Sequence, residues 1–186
     1  MEDLSLHMLD IAENSIDAGA SRIDITLKES SAEDTIIFYI RDNGKGMDAE
    51  TLAKASDPFF STKKVRTRRF GLGIPLLKQA AEECNGAFSI ESSPGKGTLI
   101  SVRFQRSHID RKPLGNMGAS MAVLISGHPD IDFTFTYERD DFSYRFDTSV
   151  VKETLDGVPI NLPDVLKLIQ GDINEAVHGD DAYGTS

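Results

Sequence analysis

Asp42-Asn43-Gly44-Lys45-Gly46-Met47 follows directly on the apolar run Thr35-Ile36-Ile37-Phe38-Tyr39-Ile40, and the reading of this junction decides the fold. The run is a strand. The six residues after it form a loop whose backbone must come close to something, because glycine has no Cβ and tolerates positive φ. Asp42 places a carboxylate acceptor where the chain turns. On its own, an acid followed by two glycines one residue apart also fits a plain strand-to-turn junction.

Working outward, Ser21 to Glu29 alternates, with Ile23, Ile25 and Leu27 on one side and Arg22, Asp24, Thr26 and Lys28 on the other. This pattern predicts a half-buried strand, antiparallel to the next one across the short polar turn 30–34. Leu4 to Ala18 reads as an amphipathic helix with Leu4, Met8, Ile11 and Ser15 on one face, ended by Gly19. Asp48 opens a short helix to Ala55. Residues 57–70 are irregular and basic, with Lys63, Lys64, Arg66, Arg68 and Arg69, and a helix spans Gly71 to Asn85 with Pro75 in its first turn. Ala87–Ser92 and Thr98–Gln105 read as a hairpin around Ser93-Pro94-Gly95-Lys96-Gly97. Helices on one face of a largely antiparallel sheet make an α+β, two-layer α/β sandwich.

Composition shifts after Phe104. The expected organisation is a main unit over 1–106, a linker over 107–119, a small α+β unit over 120–178 and a disordered tail over 179–186. Within the small unit, Met121–Ile125 reads as a short apolar strand. Ile131–Glu138 and Phe142–Thr148 read as a hairpin, and Ser149–Leu155 and Leu162–Val177 as helices. The aromatic residues at strand positions read as hairpin packing rather than as a platform for stacking bases.

The net charge of −10 over 186 residues argues against nucleic acid or an anionic membrane as partner. The lone Cys84 cannot form an internal disulfide and reads as a small buried apolar residue. No apolar run approaches the ~18 residues of a membrane span, and the expected location is the cytoplasm.

Three further features carry chemistry. Asp10, Asn14 and Asp17 share one face of the first helix at i, i+4 and i+7. That face is either a solvated stripe or a site. An asparagine carbonyl suits Mg²⁺, which takes one or two protein oxygens plus phosphates, and a carboxylate one turn earlier can orient a water. Phe70-Gly71-Leu72-Gly73-Ile74 opens a helix whose free N–H groups and dipole favour an anion, and the cations before it suit a polyphosphate. No Walker A pattern and no G-x-G-x-x-G after a strand occurs.

In order, Glu13-Asn14-Ser15-Ile16-Asp17-Ala18-Gly19-Ala20, Asp42 to Met47, Asp57-Pro58-Phe59-Phe60-Ser61-Thr62-Lys63, Gly71-Leu72-Gly73-Ile74 and Ser93 to Thr98 resemble the motifs of the GHKL ATPase superfamily: gyrase B, heat-shock chaperone ATPases, histidine kinases and MutL. The resemblance covers roughly residues 1–105. The first motif looks like the MutL version, the last three like histidine kinases.

The resemblance implies a Bergerat ATP-binding fold with ATP and Mg²⁺ as cofactors. It makes Asn14 the metal ligand, with Asp17 on the same helix face, and Asp42 the acceptor of the adenine amino group. Gly44, Gly46 and Met47 would border the base, and Thr98 would help to fix it. Gly71, Leu72 and Gly73 would face phosphates, with Phe59 and Lys63 in a lid. Asp10 stands where the superfamily's ATPases usually carry a glutamate, one methylene longer.

The chain begins at the ATP-binding helix, which leaves the helical hairpin of histidine kinases unexpected here, and the transducer of MutL and gyrase matches nothing in it. The resulting expectation is a stand-alone kinase-like or anti-sigma-type regulator acting on a partner protein. A slow ATPase switch and a non-catalytic nucleotide sensor are the alternatives, and a homodimer is left open.

Overall fold

A computed structural model describes residues 3–55 and 73–179. The expectations for Phe59, Lys63, Gly71, Leu72 and the tail after Gly179 lie outside the described residues. In chain order the elements are α1 (Leu4–Asp17), β1 (Arg22–Ser30), β2 (Thr35–Asp42), α2 (Ala49–Ala55), α3 (Gly73–Glu83), β3 (Ala87–Ser92), β4 (Thr98–Gln105), α4 (Met117–Gly127), β5 (Asp132–Arg139), β6 (Phe142–Asp147), α5 (Thr148–Thr154) and α6 (Pro163–His178).

The six strands form one sheet in the order β3-β4-β2-β1-β5-β6. All pairs are antiparallel except β1 with β5. Alternation along the strands sends Ile23, Ile25, Leu27, Phe38, Ile40, Ile100, Val102, Phe104, Phe133 and Phe135 into one core. Helices α1, α3, α4 and α6 cover that face. The other face carries Arg22, Asp24, Lys28, Arg41 and Arg103. This is the two-layer α/β sandwich that alternating strands and one-faced helices demand.

The C-terminal segment continues the same sheet through β5, which lies parallel against β1 over eight registered pairs. Cross-links back it up. Thr134 Oγ1 donates to Asp24 Oδ1 at 2.5 Å, and Arg22 meets Asp147 at 3.2 Å. Residues 121–125, expected as a strand, lie instead in α4. Met117, Met121, Leu124 and Ile125 are buried at the spacing of one helix face, and Asn116 caps the helix through Ala119 N at 2.8 Å. A short apolar run does not distinguish a buried strand from a buried helix by periodicity, and Asn116 was the deciding residue.

The segment after β4 holds the start of α1. Leu4 N and Ser5 N donate to the carbonyls of Pro113 and Leu114 at 2.9 Å each, while Asp3 caps Leu6 N at 3.0 Å. One turn on, His7 is 3% exposed and its Nδ1 has no hydrogen-bond partner among the described residues. Burial, reinforced by Lys112, lowers its pKa to about 4. The unfolded chain, with His7 near 6.5, therefore binds the extra proton between those two values. Stability is intact above pH 6.5 and falls as the pH drops toward 4, by up to about 3 kcal/mol for this one group. In urea melts between pH 7 and 4, the stability of His7→Leu relative to wild type should rise as the pH falls. Parallel curves would mean that His7 is not held neutral.

Candidate functional site

Asp42 ends β2 on the core side of the sheet and is 7% exposed. A carboxylate there needs donors, and three are in place. Gly44 N and Thr98 N donate to Oδ1 at 2.9 and 3.2 Å, and the Ser15 hydroxyl donates to Oδ2 at 2.8 Å. Thus the end of β2, the loop after it, the start of β4 and the last turn of α1 meet at one side chain. Ser15 escaped the sequence reading because it was counted on the apolar face of its helix. A lone hydroxyl in that stripe was the available signal.

The loop 43–47 is clamped on two sides. Lys45 N donates to Ala18 O at 3.0 Å, and a Cβ at Gly44 would lie 3.0 Å from that oxygen, so the loop sits on the end of α1. Gly46 has φ +66, and a Cβ there would fall 2.0 Å from Ser93 O. On the turn side, Gly95 N donates to Lys45 O at 2.7 Å and Met47 N to Ser92 Oγ at 2.9 Å. Ser92 Oγ in turn lies 3.1 Å from Thr98 Oγ1. Asn43 braces the loop against β1, its Oδ1 accepting from Ser21 N and Arg22 N at 2.9 Å each. Ser92 and Asn43 are supporting residues that spacing did not reveal.

A second cluster lies one and a half turns back on α1. Asp10 Oδ2 is buried with no hydrogen-bond partner among the described residues, and a Cβ added at Gly73 would fall 1.5 Å from it. A side chain at Gly73 would require this carboxylate to swing aside. Burial, then the charge of Glu13, raises the Asp10 pKa. An unpartnered buried carboxylate oxygen beside a helix opening is costly unless something polar completes it. Asn14 lies between the clusters, half-buried, and Asp17 is exposed at the helix end. Of the expected residues, Asp10 and Gly73 thus meet, and Asp42, Gly44, Gly46, Met47 and Thr98 meet, with α1 as the shared rail.

Asn14 and Asp10 offer a hard-oxygen set, and the orphaned Asp10 oxygen fits a hydrated Mg²⁺ or a water at a phosphate. A cavity of about 350 Å³ opens beside this loop, lined by Asp42, Asn43, Ser92, Gly97 and Thr98 together with Asp24, Arg41, Lys96 and Leu99.

Among curated proteins, the chain is 32% identical over 94 residues to sporulation kinase C of Bacillus subtilis, covering 50% of this chain and 21% of that protein. It is 32% identical over 109 residues to the sensor protein SrrB of Staphylococcus aureus, covering 57% and 18%. A putative sensor protein of Shewanella frigidimarina is 31% identical over 104 residues, covering 55% and 16%. The chain thus spans about a fifth of the length of these relatives. Among solved structures, the N-terminal domain of a DNA repair protein superposes with a TM-score of 0.54 at 16% identity, covering 78% of this chain and 52% of that one, a likeness of fold. Residues 2–108, more than half of the chain, match the model of the histidine kinase-, DNA gyrase B- and HSP90-like ATPases. The chain belongs to that family, and with it comes ATP binding.

Proposed function

We propose that this protein is a Mg-ATP-dependent, kinase-like regulator that acts on a partner protein. The observation that carries the reading is the pairing of the two clusters on α1. Asp42 is held rigid by Ser15, Gly44 and Thr98, and Asp10 is held bare against Gly73.

In this reading the base docks at Asp42. Oδ2, engaged by a single hydroxyl, keeps a lone pair for an exocyclic amino group. Gly44, Gly46 and Met47 border the base, and Thr98 fixes it through its hydroxyl. The Asn14 carbonyl holds the magnesium ion, which would supply charge neutralisation at the phosphates. Asp10 orients the attacking water or acceptor hydroxyl and takes up its proton. Because its pKa is raised, activity should fade first on the acid side as Asp10 becomes protonated. The strands and helices beyond residue 108 would recognise the partner.

Thermal unfolding with ATP, ADP and a non-hydrolysable analogue, with and without Mg²⁺, tests nucleotide binding. A ligand at a hundred times its Kd stabilises by about 2.7 kcal/mol. Label from γ-labelled ATP on a co-purifying protein supports transfer, whereas free phosphate alone supports a slow ATPase switch. Binding with neither leaves a nucleotide sensor. Asp10→Asn should keep nucleotide stabilisation and lose turnover by about a hundredfold or more. Unchanged turnover would remove Asp10 from the mechanism.

A further inference from the structure

Ser15 is 5% exposed, on the stripe of α1 that otherwise carries Leu4, Met8 and Ile11. A hydroxyl buried in such a stripe is costly unless it is bonded, and a helix offers it an acceptor one turn back. That acceptor is present. Ser15 Oγ lies 3.3 Å from Ile11 O, and 2.8 Å from Asp42 Oδ2, 27 positions away in the chain. One hydroxyl has one hydrogen. The nearer, charged oxygen takes it, since a hydrogen bond to an ionised acceptor is about twice as strong as one to a neutral acceptor. Ser15 has an acceptor within its own helix, so its reach to Asp42 serves the carboxylate rather than the serine.

What the hydroxyl does there follows from the lone pairs. A carboxylate accepts at about four positions. Among the described residues, Gly44 N and Thr98 N take both positions on Oδ1, at 2.9 and 3.2 Å, and Ser15 takes one on Oδ2. One position is left. Two donors on a single oxygen let the group pivot about that oxygen. A third donor, on the other oxygen, stops the pivot and fixes the direction of the last lone pair. The hold on Oδ1 comes from main-chain N–H groups, which any residue but proline supplies. The hold on Oδ2 depends on the side chain at position 15.

We infer that Ser15 is a positioning residue for base selection: its hydroxyl aims the one open lone pair of Asp42 at a single donor, an exocyclic amino group, and so lets the site discriminate an aminopurine from a purine that lacks the group. This role rests on the docking of the base at Asp42. Ser15 acts through the carboxylate, so its loss is felt by a ligand that carries the amino group and not by one without it. General loosening of the site would weaken both ligands alike.

Isothermal titrations of the full chain with Mg-ATP and with the magnesium complex of purine riboside triphosphate, which carries hydrogen in place of the amino group, close a thermodynamic cycle with Ser15→Ala. Wild type should prefer ATP by about tenfold or more. In Ser15→Ala the preference should shrink to about threefold or less, through weaker ATP binding at a nearly constant affinity for the amino-free analogue. Ser15→Cys keeps a weak donor at the same place and should fall between the two. The cysteine variant also carries the comparison if alanine at this buried position impairs folding. A wild type without preference for ATP would overturn the docking of the base at Asp42, and the role of Ser15 with it. A wild-type preference that both variants leave whole, whether the two affinities fall together or neither moves, would overturn the role of Ser15 alone and leave the docking standing.

Discussion

Asp42→Ala should bind neither ATP nor ADP, and should itself lose about 3 kcal/mol of stability, because three donors lose their acceptor at a buried site. The two losses come from the same geometry. Ser15 Oγ, Gly44 N and Thr98 N all point at this carboxylate, and alanine leaves each of them without it. Asp42→Asn separates the effects. An amide oxygen at Oδ1 still accepts from Gly44 and Thr98, which preserves much of the fold, while the NH₂ group faces Ser15 and would face the donor of an adenine. Chemical denaturation should therefore place the asparagine variant between wild type and alanine, with nucleotide stabilisation lost in both. Retention of ADP stabilisation in the asparagine variant would mean that the base is not read at Asp42.

Gly97→Ala carries the second large effect. Gly97 has φ +79, and a Cβ there would fall 1.9 Å from Asp42 O and 2.8 Å from Asp42 C, both backbone atoms. Neither can swing aside as a side chain would. The turn must lift off the end of β2, breaking the link between Thr98 N and Asp42. A loss of about 3 kcal/mol or more is expected from urea denaturation. Gly95 is the internal control. It has φ +75 with nothing within 4 Å of an added Cβ, so alanine there incurs only the left-handed strain of about 1 kcal/mol. Equal losses at the two positions would show that backbone strain alone, and not contact with Asp42, sets the requirement for glycine.

How much of this was legible depends on range. Strand alternation, the helix ending at Gly19 and the hairpin turn at 93–97 are local signals, and the structure places each where those signals point. The parallel pairing of β1 with β5 joins residues about 110 positions apart, and no local pattern encodes it. Whether the C-terminal segment stood apart or joined the sheet was therefore undecidable from periodicity. The two clusters on α1 were legible as residue types at helical spacing. Their supports were not. Ser15, Ser92 and Asn43 act through a few side-chain hydrogen bonds each, and a hydroxyl or amide that braces a loop looks in sequence like any other polar residue.

The parallel pairing also bears on inheritance. The stretch shared with the ATPase family ends near residue 108, but the folding unit does not end there. A chain cut at that point would uncover the β5-side edge of β1, strip Phe133, Phe135 and Tyr137 from beside Ile23, Ile25 and Leu27, and present eight residues of open backbone to any strand that fits. Such an edge is a template for aggregation. β5 thus closes the edge that β1 would otherwise expose, and β6 forms the edge of the sheet in its place.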